Sequence, residues 1–136
     1  MGTRRKGREA ALQMLYQIDT TGIAASHAVE LYWTHLGGTR EGEDFANGIV
    51  LGCGREAERI DEIIRRVSQH WRIERMARVD RNILRLGTYE LIAAPDVPRR
   101  VTINEAVELA KRFGNDTSAG FVNGVLDRIA ADVGKA

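Results

Sequence analysis

The 136 residues carry 20 Lys and Arg against 19 Asp and Glu, a net charge of +1, so any attraction to nucleic acid must come from a local patch and not from the field of the whole molecule. With 43% hydrophobic residues the chain can bury one core, as a single domain or as two small subdomains. Cys53 stands alone, which excludes an internal disulfide; no apolar run reaches the length of a membrane span, no signal-peptide pattern precedes the first helix, and His27, His35 and His70 lack the paired spacing of metal ligands. No metal or cofactor is expected, and the expected location is the cytoplasm.

The first predicted helix covers Thr3 to Thr20, with Ala11, Leu12, Leu15 and Ile18 on its apolar face and Met14 at the edge. Its beginning is basic: Arg4, Arg5, Lys6 and Arg8 precede the hydrophobic part, and Gly7 predicts that the first few residues fray or are ordered only by a partner. Arg5, Glu9, Gln13 and Tyr16 share the face opposite the apolar stripe, which leaves an aromatic ring among polar groups. Cations neutralise phosphates and an exposed ring stacks on unpaired bases, so single-stranded RNA or DNA would suit this face. The competing reading is a solvated tail, with Tyr16 packed on another helix and its hydroxyl outward.

A second helix is expected from Ser26, as cap, to Leu36, with Val29, Tyr32, Trp33 and Leu36 on one side and Gly37, Gly38 and Thr39 ending it. Phe45, Ile49, Gly52 and Cys53 define a third, in which Gly48 and Gly52 leave room for a close neighbour. Ile60, Ile63, Ile64, Val67 and Trp71 give a clean stripe for a fourth, with Arg65 and Arg66 turned outward. These three read as scaffold.

The segment from Arg72 to Ala94 reads as a longer helix, introduced by a turn around Ile73 to Arg75 and stopped before Pro95. Met76, Val79, Ile83, Leu84, Leu86 and Leu91 face the core, and Asp80 and Glu90 fall in the same arc, where a carboxylate is costly unless paired. Ten residues of helix separate the two acids by about 15 Å, too far for a catalytic pair, so structural ion pairs or a partner contact are the better readings.

Thr102 followed by Glu105 forms a capping box that starts a helix at Ile103; Ile103, Ala106, Val107, Ala110 and Phe113 line one face, and Gly114 is suited to a left-handed cap. Asn115, Asp116, Thr117 and Ser118 can cap a last helix striped by Phe121, Val122, Val125, Leu126 and Ile129. Its other side gathers Gly120, Asn123, Gly124 and Asp127, which predicts close approach either of a neighbouring helix or of a ligand backbone such as nucleic acid. No strand alternation, repeat, phosphate-cradling loop or nucleophile–base constellation is present, so the residues predict an all-α fold of six to seven helices.

Three blocks, RRKGREAALQMLYQ, ERMARVDRNILRLGTYEL and VTINEAVELAKRFGNDTSAGFVNGVLDRIA, closely resemble the NusB family of bacterial transcription antitermination factors, in the right order and over nearly the whole chain. The resemblance implies one domain over 1–136 made of two packed three-helix subdomains, about 1–72 and about 73–136, with no enzymatic activity. It implies binding of boxA RNA together with NusE, the small-subunit ribosomal protein, and assembly with NusA, NusG and RNA polymerase in support of ribosomal RNA transcription. By position it assigns RNA contact to Arg4, Arg5, Lys6 and Arg8, with Gln13 and Tyr16 on the following helix, and to Lys111, Arg112, Phe113, Asn115, Ser118 and Asn123 in the last block. It assigns the NusE surface to Arg78, Arg81 and Arg85 with Glu74 and Glu90. The short basic arm, interrupted by Gly7, departs from the pattern and implies that affinity for RNA depends on NusE. The same helical domain is similar to the N-terminal RNA-binding module of ribosomal RNA cytosine methyltransferases, which is the alternative reading, and a helical homodimer is a third.

Overall fold

The computed structural model describes residues 2–36 and 39–136, and these contain seven α-helices and no strand. Contacts divide the chain into two units, Met1–Arg55 and Glu56–Ala136. The first holds α1 (Thr3–Thr21), α2 (Ala25–Leu31), which widens into a π-type turn at Tyr32–Leu36, and α3 (Glu43–Arg55). The second holds α4 (Ala57–Val67), a single 3₁₀ turn (Ile73–Arg75), α5 (Arg78–Ala93), α6 (Arg99–Phe113) and α7 (Ser118–Asp132). The division falls earlier than the 72/73 position expected from the sequence, because the isoleucines of α4 pack with α5 and α7.

In the first unit α1 packs along α3 and also meets α2. Ala10, Ala11, Leu12, Met14 and Leu15 of α1 are buried with Ala46, Ile49, Val50 and Cys53 of α3. Met14, expected at the edge of the stripe, is fully buried, so the apolar face is wider than the spacing indicated. The π turn places Trp33 Nε1 to donate to Asn47 Oδ1 at 2.7 Å and sets Tyr32 edge-on to Trp33 at 4.9 Å. Burial, and secondarily the charge of Glu9, pushes the Tyr32 phenol above its ordinary pKa. The expected helix stop at Gly37 and Gly38 lies outside the described residues.

In the second unit Ile60, Ile63 and Ile64 form the buried stripe of α4, each fully buried aliphatic side chain contributing about 1.5–3 kcal/mol. That stripe was expected to run on to Trp71, but the helix ends at Val67. The Ser68 hydroxyl donates to the carbonyl of Ile64 at 2.6 Å and competes with a further helical turn. The anticipated turn at Ile73–Arg75 is present, and the long helix begins only after it, at Arg78.

Helix α6 starts four residues before the predicted Ile103. Pro98 presets φ at −62° and its carbonyl accepts from the amides of Val101 and Thr102, while the Arg99 amide donates to the carbonyl of Ala136 at 3.2 Å. With Pro98 opening the helix no capping box forms; Thr102 lies inside the helix, and its buried hydroxyl has no hydrogen-bond partner. Gly114 is likewise not left-handed: its backbone is extended, at φ −95° and ψ −167°. A side chain there would lie 2.4 Å from Ser118 Oγ, so close approach of the next helix, and not the sign of φ, demands glycine.

Arg66 of α4 pairs with Asp132 of α7, and Arg65 with Glu74 of the 3₁₀ turn. The hydrogen bond from Arg66 holds the Asp132 carboxyl below the usual carboxylate range, and the Glu74 carboxyl is lowered first by its own backbone amide and then by Arg65. A folded-state pKa below the unfolded one gives stability that is complete above the unfolded value and lost as pH falls through the folded one. Thermal unfolding followed from about pH 5 down to about pH 2 should therefore show a shallower acid loss in Asp132→Asn than in the parent. Parallel profiles would remove this pair from the acid response.

Candidate functional site

The basic beginning of α1 is ordered into helix from Thr3, contrary to the fraying expected of Gly7. Gly7 is buried and has a structural reason: a Cβ on it would lie 2.9 Å from the ring edge of Phe45 and 3.0 Å from the carbonyl of Gly42. Gly42 has φ +77°, and a Cβ there would meet Gly7 N and Thr3 O at 2.6 Å. The two glycines let the backbone of α1 lie directly on the turn that opens α3. The amide of Ala46 donates to Gly42 O at 2.9 Å and ties that turn to α3.

This docking sorts the four cations. Arg4 and Lys6 are exposed and Arg5 is half-buried, whereas Arg8 is only 3% exposed. The guanidiniums of Arg4 and Arg8 each lie 5.1 Å from the centroid of the Phe45 ring. Further along α1, Gln13 is exposed and Tyr16 is 41% exposed, so the aromatic ring does stand in solvent beside polar groups. Arg5 and Tyr16 are eleven residues apart, about 16 Å along one helix face.

In the second unit Lys111, Arg112 and Phe113 are all exposed at the end of α6, with the Arg112 guanidinium stacked 5.0 Å from the Phe113 centroid. Lys111 pairs with Glu108 at 3.4 Å. Asn115 builds the following turn: its Oδ1 accepts from the Thr117 amide at 2.9 Å and from the Thr117 hydroxyl at 2.8 Å, which is how α7 is introduced without a side-chain cap from Thr117 itself. Ser118 is fully buried and its hydroxyl accepts from the Asn115 amide at 3.0 Å, so it shapes the loop and offers nothing to a ligand. Asn123 is exposed on α7. Apart from the adjoining backbone of α7 itself, no described atom lies within 4 Å of a Cβ built on Gly120 or Gly124, so no helix of this unit presses on these glycines, which lie on the same side of α7 as Asn123.

The expected partner residues of the 3₁₀ turn and α5 separate in the same way. Glu74 and Arg78 are exposed. Arg81 turns back to donate to the carbonyl of Ile73 at 3.2 Å, and Arg85 grips Asp61 of α4 with two bonds of 2.9 and 3.1 Å, so both brace the unit. Glu90 is 2% exposed and lies inside the core.

The structure adds a feature that the spacing hid. Trp71, Arg72, Arg75, Met76, Ala77, Asp80, Thr117 and Phe121 line a cleft of about 410 Å³. Trp71 is 61% exposed and meets Phe121 edge-on at 6.0 Å, while Asp80, 7% exposed, has a buried Oδ1 without a hydrogen-bond partner. Asp80 sits in the first turn of α5, where the helix dipole favours a carboxylate, but the vacant acceptor still costs free energy until a donor reaches it. The polar run Ser68, Gln69, His70 before Trp71 was the available signal that the α4 stripe had already ended. Among the described residues no group of His, Cys, Asp and Glu could hold a metal ion, and no helix is long and apolar enough to cross a membrane.

The profile of the NusB family matches residues 5–131. The transcription antitermination protein NusB of Sorangium cellulosum is 52% identical over 99% of this chain and 96% of its own. Among solved structures, T. maritima NusB superposes with a TM-score of 0.85 at 37% identity over 97% of this chain and 94% of that one. A structure of the antitermination factors NusB and NusE in complex with dsRNA matches with a TM-score of 0.83 at 30% identity, over 96% and 97%. End-to-end identity at this level, on the same seven-helix fold, makes this chain a member of the NusB family of transcription antitermination proteins.

Proposed function

We propose that this antitermination factor acts without catalysis, by binding boxA RNA together with NusE and joining NusA, NusG and RNA polymerase during ribosomal RNA synthesis in the cytoplasm. The observation that carries the RNA part is the ordered basic turn of α1, which sets Arg4, Arg5 and Lys6 on a rigid support with Gln13 and the exposed ring of Tyr16 further along the same helix. Cations meet phosphates and the ring offers a stacking surface to an unpaired base. Lys111, Arg112, Phe113 and Asn123 supply a second set of cations, ring and amide on the other unit. Arg8 and Ser118 serve these surfaces from beneath, while Asn115 is exposed in the turn that it shapes.

For NusE we propose the cleft between Trp71 and Phe121, flanked by Glu74 and Arg78. An aromatic wall with one unsatisfied buried acceptor fits a protein side chain that brings both apolar area and a donor. The end-to-end match to antitermination proteins supports this factor over a methyltransferase module.

The test is a titration of labelled boxA RNA and a scrambled control, with and without NusE. Selective binding that tightens with NusE is the expected result, and no selectivity in either condition would overturn the assignment. Arg4→Ala combined with Arg5→Ala should weaken binding about tenfold near ~0.1 M salt and make the slope of log K against log salt shallower by about 1.4, at unchanged helicity. An unaltered slope would take the arm out of the RNA surface.

A further inference from the structure

We infer that Phe45 is a positioning residue for RNA binding: its ring, seated on α1 through the Gly7–Gly42 contact, orients the Arg4 guanidinium toward RNA while Arg8 fills the inner side. The inference rests on the RNA reading of the α1 arm. Phe45 lies in the first turns of α3 and reads from the sequence as a core residue of that helix, yet it is half-buried and touches cations. Arg4 and Arg8 stand one helical turn apart on the same side of α1, where two like charges repel, and each guanidinium is 5.1 Å from the same ring centroid. The ring quadrupole attracts both cations and so offsets their repulsion.

The two arginines then take different parts. Arg8, at 3% exposure, is held inside the unit, and Arg4 remains exposed one turn further out. An arginine on an exposed helix end samples many rotamers and loses them when it grips a phosphate; one already stacked has lost them in the free protein. Phe45 thereby strengthens the Arg4–phosphate contact without touching RNA. The arrangement depends on the missing side chain of Gly7, whose Cβ would lie 2.9 Å from the Phe45 ring edge.

The experiment separates the ring's charge distribution from its bulk. Replacing the Phe45 ring by its pentafluorinated analogue keeps the shape and reverses the quadrupole, and the full chain is titrated with labelled boxA RNA. The expected result is unchanged helicity and a modestly lower thermal midpoint, because the buried Arg8 loses the same attraction, with RNA affinity about threefold lower when measured well below that midpoint. Fluorination should weaken the parent but have little effect in the Arg4→Ala protein, because the ring acts through Arg4; a purely structural ring would give additive losses. Parent-like affinity of the fluorinated protein, or additivity in that cycle, would overturn the inference. If Arg4→Ala with Arg5→Ala leaves the parent's affinity unaltered, the arm reading itself fails, a result distinct from a failure of Phe45 alone.

Discussion

Gly42→Ala is expected to lower the midpoint of thermal unfolding by roughly 10 °C, corresponding to about 3 kcal/mol for a chain of this length. Two effects combine. A left-handed backbone costs an L-residue about 1–2 kcal/mol, and here φ is +77°. The added Cβ would also lie 2.6 Å from Gly7 N and Thr3 O, which are backbone atoms of a helix and cannot rotate away as a side chain can, so α1 must lift at a further cost of about 1–3 kcal/mol. Gly22 is the internal control: it has the same φ of +77° with nothing within 4 Å, so Gly22→Ala should show the conformational part alone, about 1 kcal/mol. Equal losses at the two sites, measured by thermal and chemical denaturation, would mean that the α1 contact yields without strain. The same substitution should weaken RNA binding beyond its effect on folding, because it moves the turn that carries Arg4 and Arg5.

The helices were legible where one face is buried and one is wet. The stripes of α1, α4 and α7 follow from apolar residues three and four apart, and the stop before Pro95 follows from proline's effect on its neighbour. The misreadings share one cause: a residue's own preference was outvoted by a neighbour, in the next turn or far along the chain, whose place only the folded backbone sets. Thr102 and Glu105 had the spacing of a capping box, but Pro98 had already opened α6 before them. Gly114 looked like a left-handed cap, and the crowding by Ser118 that requires it is visible only once α6 and α7 are folded together. Gly7 looked like a weak point in α1, and its partner Gly42 lies 35 residues away.

The candidate site was legible in composition and less so in depth. Clustered cations and the polar-face position of Tyr16 marked α1 correctly as the place to look, but periodicity cannot say that Arg8 is buried while Arg4 is exposed. Both guanidiniums lie 5.1 Å from the Phe45 ring, and it is the place of each along the contact of α1 with α3, a feature that joins two helices, that separates them. On α5 the outward arc held Arg81 and Arg85, yet both are spent within the unit, one on the Ile73 carbonyl and one on Asp61. Asp80 was recognised as an acid on an apolar arc; what the spacing could not give was the cleft above it.

Trp71→Ala should reduce affinity for NusE by about thirtyfold, or about 2 kcal/mol, while leaving the stability of the free protein nearly intact. The two expectations come from the same geometry. Trp71 is 61% exposed, so truncation removes little buried area from the free protein beyond its edge-on contact with Phe121, itself worth about 0.5–1.5 kcal/mol. In a complex the same indole would be desolvated at the rim of the cleft, beside the Asp80 Oδ1 that has no partner until a donor arrives. Asp80→Asn tests the second half: it keeps the size, removes the charge and should weaken NusE binding less than Trp71→Ala, because an amide oxygen can still accept. Both variants should bind RNA like the parent when NusE is absent, since the cations of α1 are unchanged. Calorimetric titration with purified NusE reads the partner affinity of both variants, thermal unfolding reads their stability and an RNA titration without NusE reads the last expectation; undiminished NusE affinity in Trp71→Ala would move the partner surface away from the cleft, to the exposed Glu74 and Arg78 alone.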